Sequence, residues 1–487
     1  MTRSQENIHV LRGDDSESTQ PTCTSNVQGF QSFDVDENAN VTPTSRHWRL
    51  DSNRTCVIVG SAILQLPIWG KKKSLIPKPL TSSVTHDSPG FVMCYGVFQE
   101  HYSANWTLAG GREVTGIIGT TSNGVIYLSM PFLFALFTKR LAHWRQTAAL
   151  CGAALACLSF ILSSFSTHVW HLVATQGVLS ALGCALVYSP TTLSLGEWFD
   201  SRNRAVAYGV VLSCKNIVGS ACPFLIRVML DRYGFRGTMR LWTVVTAAAS
   251  VAGIMLIPTP PTTLTPSRDV HSRPVRIPWH FLRHQTFYVY AAAIVFQTAG
   301  YGIPQTYLNT YASEVTMLSQ TSATLLLTLF NIPGILSSSF FGYLSGNKRF
   351  PLSATAVTAI SAAGSALAAF LFWGLTSRGS MALLVLFSIT FGFFAGGYSA
   401  TWGGVVNELE SEAAGRNEAI DTGVVYGLLN GARGVGYVGG GLVGVPLLRA
   451  GEGGEVMKGF GYGTAYGPLI VFTGLTSVFG GLGLLWE

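Results

Sequence analysis

Charge is what this chain has least of. Only 11% of its 487 residues are Asp, Glu, Lys or Arg, against roughly 25% in soluble domains. That balance excludes an intrinsically disordered scaffold and argues against a soluble enzyme. Site motifs are missing too: there is no zinc-ligand spacing, no Walker loop and no strand-turn-helix nucleophile elbow, so neither a metal nor an organic cofactor is expected. The apolar runs hold no Asp or Glu deep inside them, and an intramembrane enzyme would need such groups for proton or metal chemistry. Nor do the eight cysteines form a disulfide framework. Cys151, Cys157, Cys184, Cys214 and Cys222 sit within apolar runs, where they act as small hydrophobes. The N-terminus lacks the basic region, apolar core and cleavage site of a signal peptide.

What the chain has is hydrophobicity: 48% hydrophobic residues, 54 glycines and a mean hydropathy of +0.36. Glycine is commoner in membrane helices than in soluble ones, and the composition is that of an all-α integral membrane protein whose first partner is the lipid bilayer. The formal charge of +7 does not imply nucleic acid, because most of the cations flank apolar runs, as membrane topology requires.

Residues 1–54 are polar and read as a disordered cytoplasmic tail. After Arg54 the chain is a series of apolar runs near the ~20 residues that cross ~30 Å of hydrocarbon. Eleven are placed at 114–138, 147–166, 169–195, 205–228, 239–258, 286–308, 320–345, 352–374, 381–405, 422–447 and 463–486. A twelfth must come from 55–99, where two short apolar pieces flank Lys71–Lys73 and a polar stretch to Pro89. Lysines there cost at least ~2.5–3.5 kcal/mol each at the bilayer centre. Removing Lys71–Pro89 joins Cys56 through Gln99 into one apolar helix of proper length. Residues 71–89 therefore read as a retained intron or an atypical insert in the first helix; a genuine loop between half-helices is the alternative.

The longest polar break, 259–285, separates six spans (55–258) from six (286–487) and reads as a cytoplasmic linker. Such a division is that of transporters built from two repeated six-helix bundles, with the binding site between them near the midplane. Cations at Lys139, Arg140, Arg145, Arg202, Arg204, Arg268, Arg273, Arg276, Arg283, Lys348 and Arg349 favour cytoplasmic N- and C-termini, although Arg232, Arg236 and Arg240 fall on the opposite side. Asn105-Trp106-Thr107 would then be an outward sequon.

Two charges lie deep within spans. Lys215 is ~16 Å in from Arg204, and Arg433 ~18 Å in from Asp421, at 1.5 Å per residue. They occupy the fifth and eleventh spans, the same helix of the two halves, in related contexts: Glu197…Arg204…Gly209…Lys215…Gly219 and Glu408…Arg416…Gly427…Arg433…Gly436. Buried cations must face the interior or a wet cavity, so Lys215 and Arg433 are candidate anion-binding residues. Glu197, Arg204, Glu408 and Arg416 are candidate gate residues. Asn123, Tyr127, Tyr188, Gln297, Tyr301, Gln305 and Asn331 are candidates to complete the site; spacing of four puts Gln297, Tyr301 and Gln305 on one helical face. The glycines between Gly427 and Gly441 lie in an apolar span without a preceding strand, and imply close helix packing rather than a nucleotide loop.

Several stretches resemble fungal members of the major facilitator superfamily of the monocarboxylate-transporter type. They are GSAILQLPIWG with FVMCYGVFQEHYSANW, Tyr188-Ser-Pro, Glu197-Trp-Phe, Arg204-Ala…Gly209, and Asp231-Arg-Tyr-Gly-Phe-Arg236. The resemblance implies twelve transmembrane helices in two six-helix bundles and alternating-access transport. The superfamily's acidic residue between spans two and three is missing from Phe137–Arg145. The animal carriers' lysine on span one and Asp/Arg pair on span eight have no counterpart, which shifts weight to Lys215 and Arg433. Together these readings predict a plasma-membrane secondary transporter, monomeric, for small organic anions such as monocarboxylates. The alternatives are a carrier of a larger molecule, such as a vitamin or secondary metabolite, and a transport-inactive nutrient sensor of the same fold. A proton is a candidate second cargo, passing through Lys215, the substrate's own carboxyl group or a residue nearer the surface.

Overall fold

The computed structural model describes residues 52–69, 94–104, 109, 112–137, 141–199, 201–258, 279–346, 352–418, 420–452 and 460–485. Outside them lie nearly all of the tail, the insert at 71–89, the sequon, Lys139, Arg140, Lys348, Arg349 and most of the linker.

Among the described residues the chain is helical. The α-helices are α1 (Ser52–Trp69), α2 (Tyr95–Ala104), α3 (Gly116–Ala135), α4 (Arg145–Ser163), α5 (Val169–Leu172), α6 (Ser180–Trp198), α7 (Ser201–Leu256), α8 (Gln285–Glu314), α9 (Gln320–Gly346), α10 (Ala354–Leu367), α11 (Met381–Gly397), α12 (Trp402–Gly415), α13 (Thr422–Glu452) and α14 (Gly467–Phe479). A π-wound stretch, Val173–Leu179, joins α5 to α6, and another, Ala368–Trp373, extends α10. The long α7 is broken at Gly234, whose φ of 64° and ψ of 179° lie where a side chain would be strained. The break falls between the expected fifth and sixth spans.

Among the described residues eight helical segments are long and apolar enough to cross a membrane. The remaining long helices are the informative ones. With 30 and 31 residues, α8 and α13 have the length to span, but their composition is too polar to count among the eight. Every residue of α8 from Gln297 to Ala312 is buried, so its glutamines, tyrosines and threonines meet protein on all sides. Outward-facing positions elsewhere carry Phe132, Val244, Leu336 and Leu367, all exposed. An apolar surface on that scale is a lipid-facing one.

Packing sorts the helices into neighbours. α3 lies along α13, α7 along α9 and α4, α13 along α8, and α9 along α11. The two pieces flanking the insert have different partners: α1 packs on α6 and α7, whereas α2 packs chiefly on α8. Helices from before and after the linker therefore meet at the α2 end. Close approach depends on glycine at defined places. A Cβ at Gly434 of α13 would lie 2.5 Å from the Leu128 backbone nitrogen on α3, and one at Gly440 2.3 Å from the Ala299 carbonyl oxygen on α8. The glycines of α13 thus let one helix press against two others, as close packing in membranes requires.

The α2 helix also corrects a boundary. The first span, read as ending at Gln99, continues to Ala104 and buries Glu100 to 3% exposure. Arg227 of α7, itself buried, pairs with the Glu100 carboxylate and makes this burial tolerable.

Candidate functional site

α13 delivers Arg433 into a space walled by aromatic rings. Its guanidinium carbon stands 4.6 Å from the centroid of Tyr127 on α3, 5.7 Å from that of Trp402 on α12 and 5.7 Å from that of Tyr437 one turn along α13. Distances below ~6 Å to a ring face are attractive, by ~0.5–1 kcal/mol at wet sites and ~2 or more when water is excluded. Tyr127 and Tyr437 stack on each other at 5.8 Å with planes 5° apart. Tyr301 of α8 meets Tyr437 edge-on at 6.4 Å and continues the wall to Phe330 and Phe391. Trp402 leans on Tyr426 at 6.1 Å. Tyr188 and Tyr426 are also close enough to interact with the Arg433 charge.

Lys215, partly buried on α7, lies near enough to Arg433 for the two positive charges to oppose one another. Among the described residues no carboxylate pairs with Arg433, whose charge meets tyrosines instead. Two cations from opposite halves of the sequence, held close at low dielectric, repel until an anion arrives. Chemically the arrangement suits an organic anion: two charges and several tyrosine hydroxyls for the carboxylate, and ring faces for the rest. Next to it a small, partly open cleft is lined by Ser61, Gln65, Tyr188, Thr191, Thr192, Leu195, Val211 and Tyr426. It brings Ser61 and Gln65 of α1 beside the same tyrosines.

The other expected residues separate in space. Asn123, one turn before Tyr127, is buried and donates to the Gly119 carbonyl. Asn331 binds two helices together: its Nδ2 donates to the Leu327 carbonyl at 2.9 Å and across to Gly219 of α7, one turn beyond Lys215, at 3.3 Å. Gln297 is pressed against Gly480 after α14, and Gln305 lies where Gly96 of α2 approaches its backbone carbonyl. Because α8 is enclosed from Gln297 to Ala312, successive turns of that face meet different neighbours: Gly480 at Gln297, Tyr437 at Tyr301 and Gly96 at Gln305.

Of the expected gate residues, Glu408 accepts from the Tyr290 hydroxyl at 2.8 Å and from the Ala354 amide at 3.2 Å, which puts its charge at the N-terminus of α10. Arg416 is exposed and pairs with Glu412 one turn back at 3.2 Å. Those contacts lie within the C-terminal half. The side chains of Glu197 and Arg204 fall outside the described residues. Nearby, His284 at the start of α8 is buried between two carboxylates, with Nδ1 2.8 Å from Glu412 and Nε2 2.9 Å from Glu418.

Sequence reasoning missed Tyr437, Trp402 and Tyr426. Tyr437 could have been found, since i+4 from Arg433 lies on the same face. The other two come from spacing that only the folded chain brings together.

Comparison with known proteins follows the same lines. The family model described as Major Facilitator Superfamily matches residues 97–441. The chain is 27% identical over 276 residues to the Xenopus laevis protein called monocarboxylate transporter 12, covering 52% of this chain and 59% of that one. It is 25% identical over 382 residues to the Aspergillus niger MFS-type transporter pynF, covering 77% and 80%, and 27% identical over 311 residues to an MFS-type transporter of Gibberella moniliformis, covering 63% and 70%. The chain thus spans about three fifths of the length of its vertebrate relative. Matched over most of its length by one model, and similar to monocarboxylate-type and fungal carriers alike, this multi-pass membrane protein belongs to the Major Facilitator Superfamily, a family of transporters rather than enzymes.

Proposed function

We propose that the chain is a secondary transporter of small organic anions, with monocarboxylates the preferred class, working by alternating access of two six-helix bundles in a twelve-helix fold. One observation carries this reading: Lys215 and Arg433 come from the two halves of the sequence and oppose each other within a wall of tyrosines. A carboxylate between them would bind both halves at once, which is how a substrate gains differential affinity for an occluded state. The names of the vertebrate relatives support the substrate class, and the positions of the loop cations support an orientation with both termini in the cytoplasm.

The aromatic wall favours a second reading, a carrier for a larger organic acid, because Tyr127, Tyr301, Tyr437 and Trp402 offer more ring surface than a two- or three-carbon acid can cover. Uptake of a labelled panel from acetate to aromatic carboxylates, in cells expressing the chain without residues 71–89, separates the two. Saturable uptake of short acids alone supports the first, a preference for aromatic acids the second, and surface expression without uptake of any acid refutes both.

A further inference from the structure

A second buried polar cluster lies outside the cation site and touches four helices. Glu100 of α2 accepts through Oε2 from Arg227 of α7 and, at 3.4 Å, from Nδ2 of Asn309 on α8. Arg227 reaches further, donating from Nη1 to Gln320 Oε1 at 3.2 Å and from Nε to Thr324 Oγ1 at 3.4 Å, both on α9. Two of these helices precede the linker and two follow it. Arg227 stands twelve residues beyond Lys215 on α7, ~18 Å along the helix, so the cluster marks the end of the molecule where α2 meets α8. The other carboxylate oxygen, Glu100 Oε1, is buried and has no hydrogen-bond partner among the described residues.

An ion pair this enclosed is held by its surroundings more than it holds them. Removing the charge from one partner leaves the other buried and uncompensated, at a cost of several kcal/mol. We propose that Glu100 is a proton-binding site whose occupation unlocks this end of the molecule. A proton from the water on that side adds to Oε1 and converts the carboxylate to a neutral carboxyl group; no other bond forms or breaks. Arg227 does not lose its charge and must find another anion. Asp231 lies one turn further on the same face of α7 and is exposed. Turning from Glu100 to Asp231, Arg227 gives up Gln320 and Thr324, and with them its hold on α9. Protonated Glu100 also loses its charge-assisted bond from Asn309.

Among the described residues, the charged and titratable groups around Glu100 are Arg227 and Asp231 from α7 and its neighbour His101; α8 and α9 bring Asn309, Gln320 and Thr324, which do not titrate. On the transport reading of the preceding section, on which this consequence rests, acid on the Glu100 side would open that side to an incoming anion and couple proton to substrate without a carboxylate at the midplane.

The test needs no substrate. Hydrogen exchange of the full-length purified chain is measured in peptides covering 95–104 and 305–324 at pH 7.5 and 5.5, corrected for intrinsic exchange. The wild type should lose protection in both peptides at the lower pH. Glu100→Gln should show that loss at both values, while α4 and α10 keep wild-type protection. Equal wild-type protection at the two pH values, or a Glu100→Gln variant that retains the pH response, overturns the proposal. Asp231→Asn, at an exposed position, guards against a Glu100→Gln chain that fails to fold. It should move the loss of protection to lower pH, and an unchanged response refutes the exchange of partners. Since no anion is present, this result stands or falls apart from the anion reading.

Discussion

Replacing Arg433 separates a binding residue from a structural one. In the free protein the guanidinium has one near ring contact, Tyr127 at 4.6 Å, and two close to the useful limit, Trp402 and Tyr437 at 5.7 Å. At ~1 kcal/mol for the first and less for the others, Arg433→Gln forfeits about 1–2 kcal/mol of folding stability. Relief of the repulsion with Lys215 offsets part of that loss. Stability should therefore change little. Binding should not be so forgiving, since a charge-assisted hydrogen bond to a carboxylate contributes ~1.5–3 kcal/mol, or about 10- to 150-fold in affinity. Arg433→Lys keeps the charge but loses the planar fork and the stacking, and should fall between wild type and Gln. Thermal unfolding in detergent and binding of a labelled carboxylate to the same preparations give the two quantities side by side. If Arg433→Gln binds the anion with wild-type affinity, the cation is a packing element and the proposed site is wrong. A large loss of stability with no loss of affinity in the surviving protein would point the same way.

Three further outcomes are expected. Deleting residues 71–89 should raise surface expression and flux, because α1 and α2 can then form one span; equal expression and flux of both forms, by surface labelling and uptake, would show that the segment is a normal part of the carrier. Gly434→Leu should unfold or mispair α3 and α13, costing more than about 2 kcal/mol, because even a Cβ there meets backbone at 2.5 Å; a wild-type melting temperature contradicts the packing described. His284, whose ring lies between Glu412 and Glu418, titrates above the ordinary histidine range because both carboxylates favour its charged form, while the same contact with His284 holds both carboxyls below their ordinary range. The histidine's contribution is complete below its unfolded value and disappears as pH rises through its raised folded one, and the carboxylates' share is lost in acid. Stability should peak near pH 5–6.5, and His284→Gln should flatten the alkaline side of the melting-temperature profile.

Hydropathy located the spans because lipid tolerates few exceptions, and the apolar runs at 114–138, 147–166 and 381–405 coincide with α3, α4 and α11. It was a poorer guide where helices face protein. Lys215 and Arg433 were legible as charges out of place, and the repeat between the halves named them together. Their aromatic surroundings were not, apart from Tyr127, Tyr188 and Tyr301, because Trp402 and Tyr426 reach the site from helices whose mutual rotation no linear pattern encodes. The repeat also cast Glu408 and Arg416 as gate residues; among the described contacts the Glu408 carboxylate, on α12, accepts from the first amide of α10, and Arg416 pairs with Glu412 one turn back. Local charge spacing in the sequence does not reveal such contacts. Glu100 was invisible for a related reason, since its neutralising partner lies 127 residues away.

The distribution of polarity has a physical logic. A helix that touches lipid on one side must keep that side apolar, and its mean composition follows. A helix enclosed by protein escapes that constraint, so it can carry groups that bind and move. α8 and α13, placed as spans at 286–308 and 422–447 yet more polar than the eight apolar segments, are the helices that bring Tyr301, Asn309, Arg433 and Tyr437 to the two polar clusters. Both press closely on their neighbours, α13 through Gly434 and Gly440, and the polar groups of α8 bond both within its own turns, as Thr306 does to Gly302 at 2.9 Å, and across to other helices, as Tyr290 does to Glu408 and Asn309 to Glu100. The contacts of Glu100, Arg227 and Asn309 join helices from both sides of the linker, so a movement of those helices against one another would break them, whereas a bond within one helix would survive it. Bonds that a rearrangement leaves intact do not bias it, so on the transport reading proposed above the balance between arrangements would be set by bonds that cross between helices.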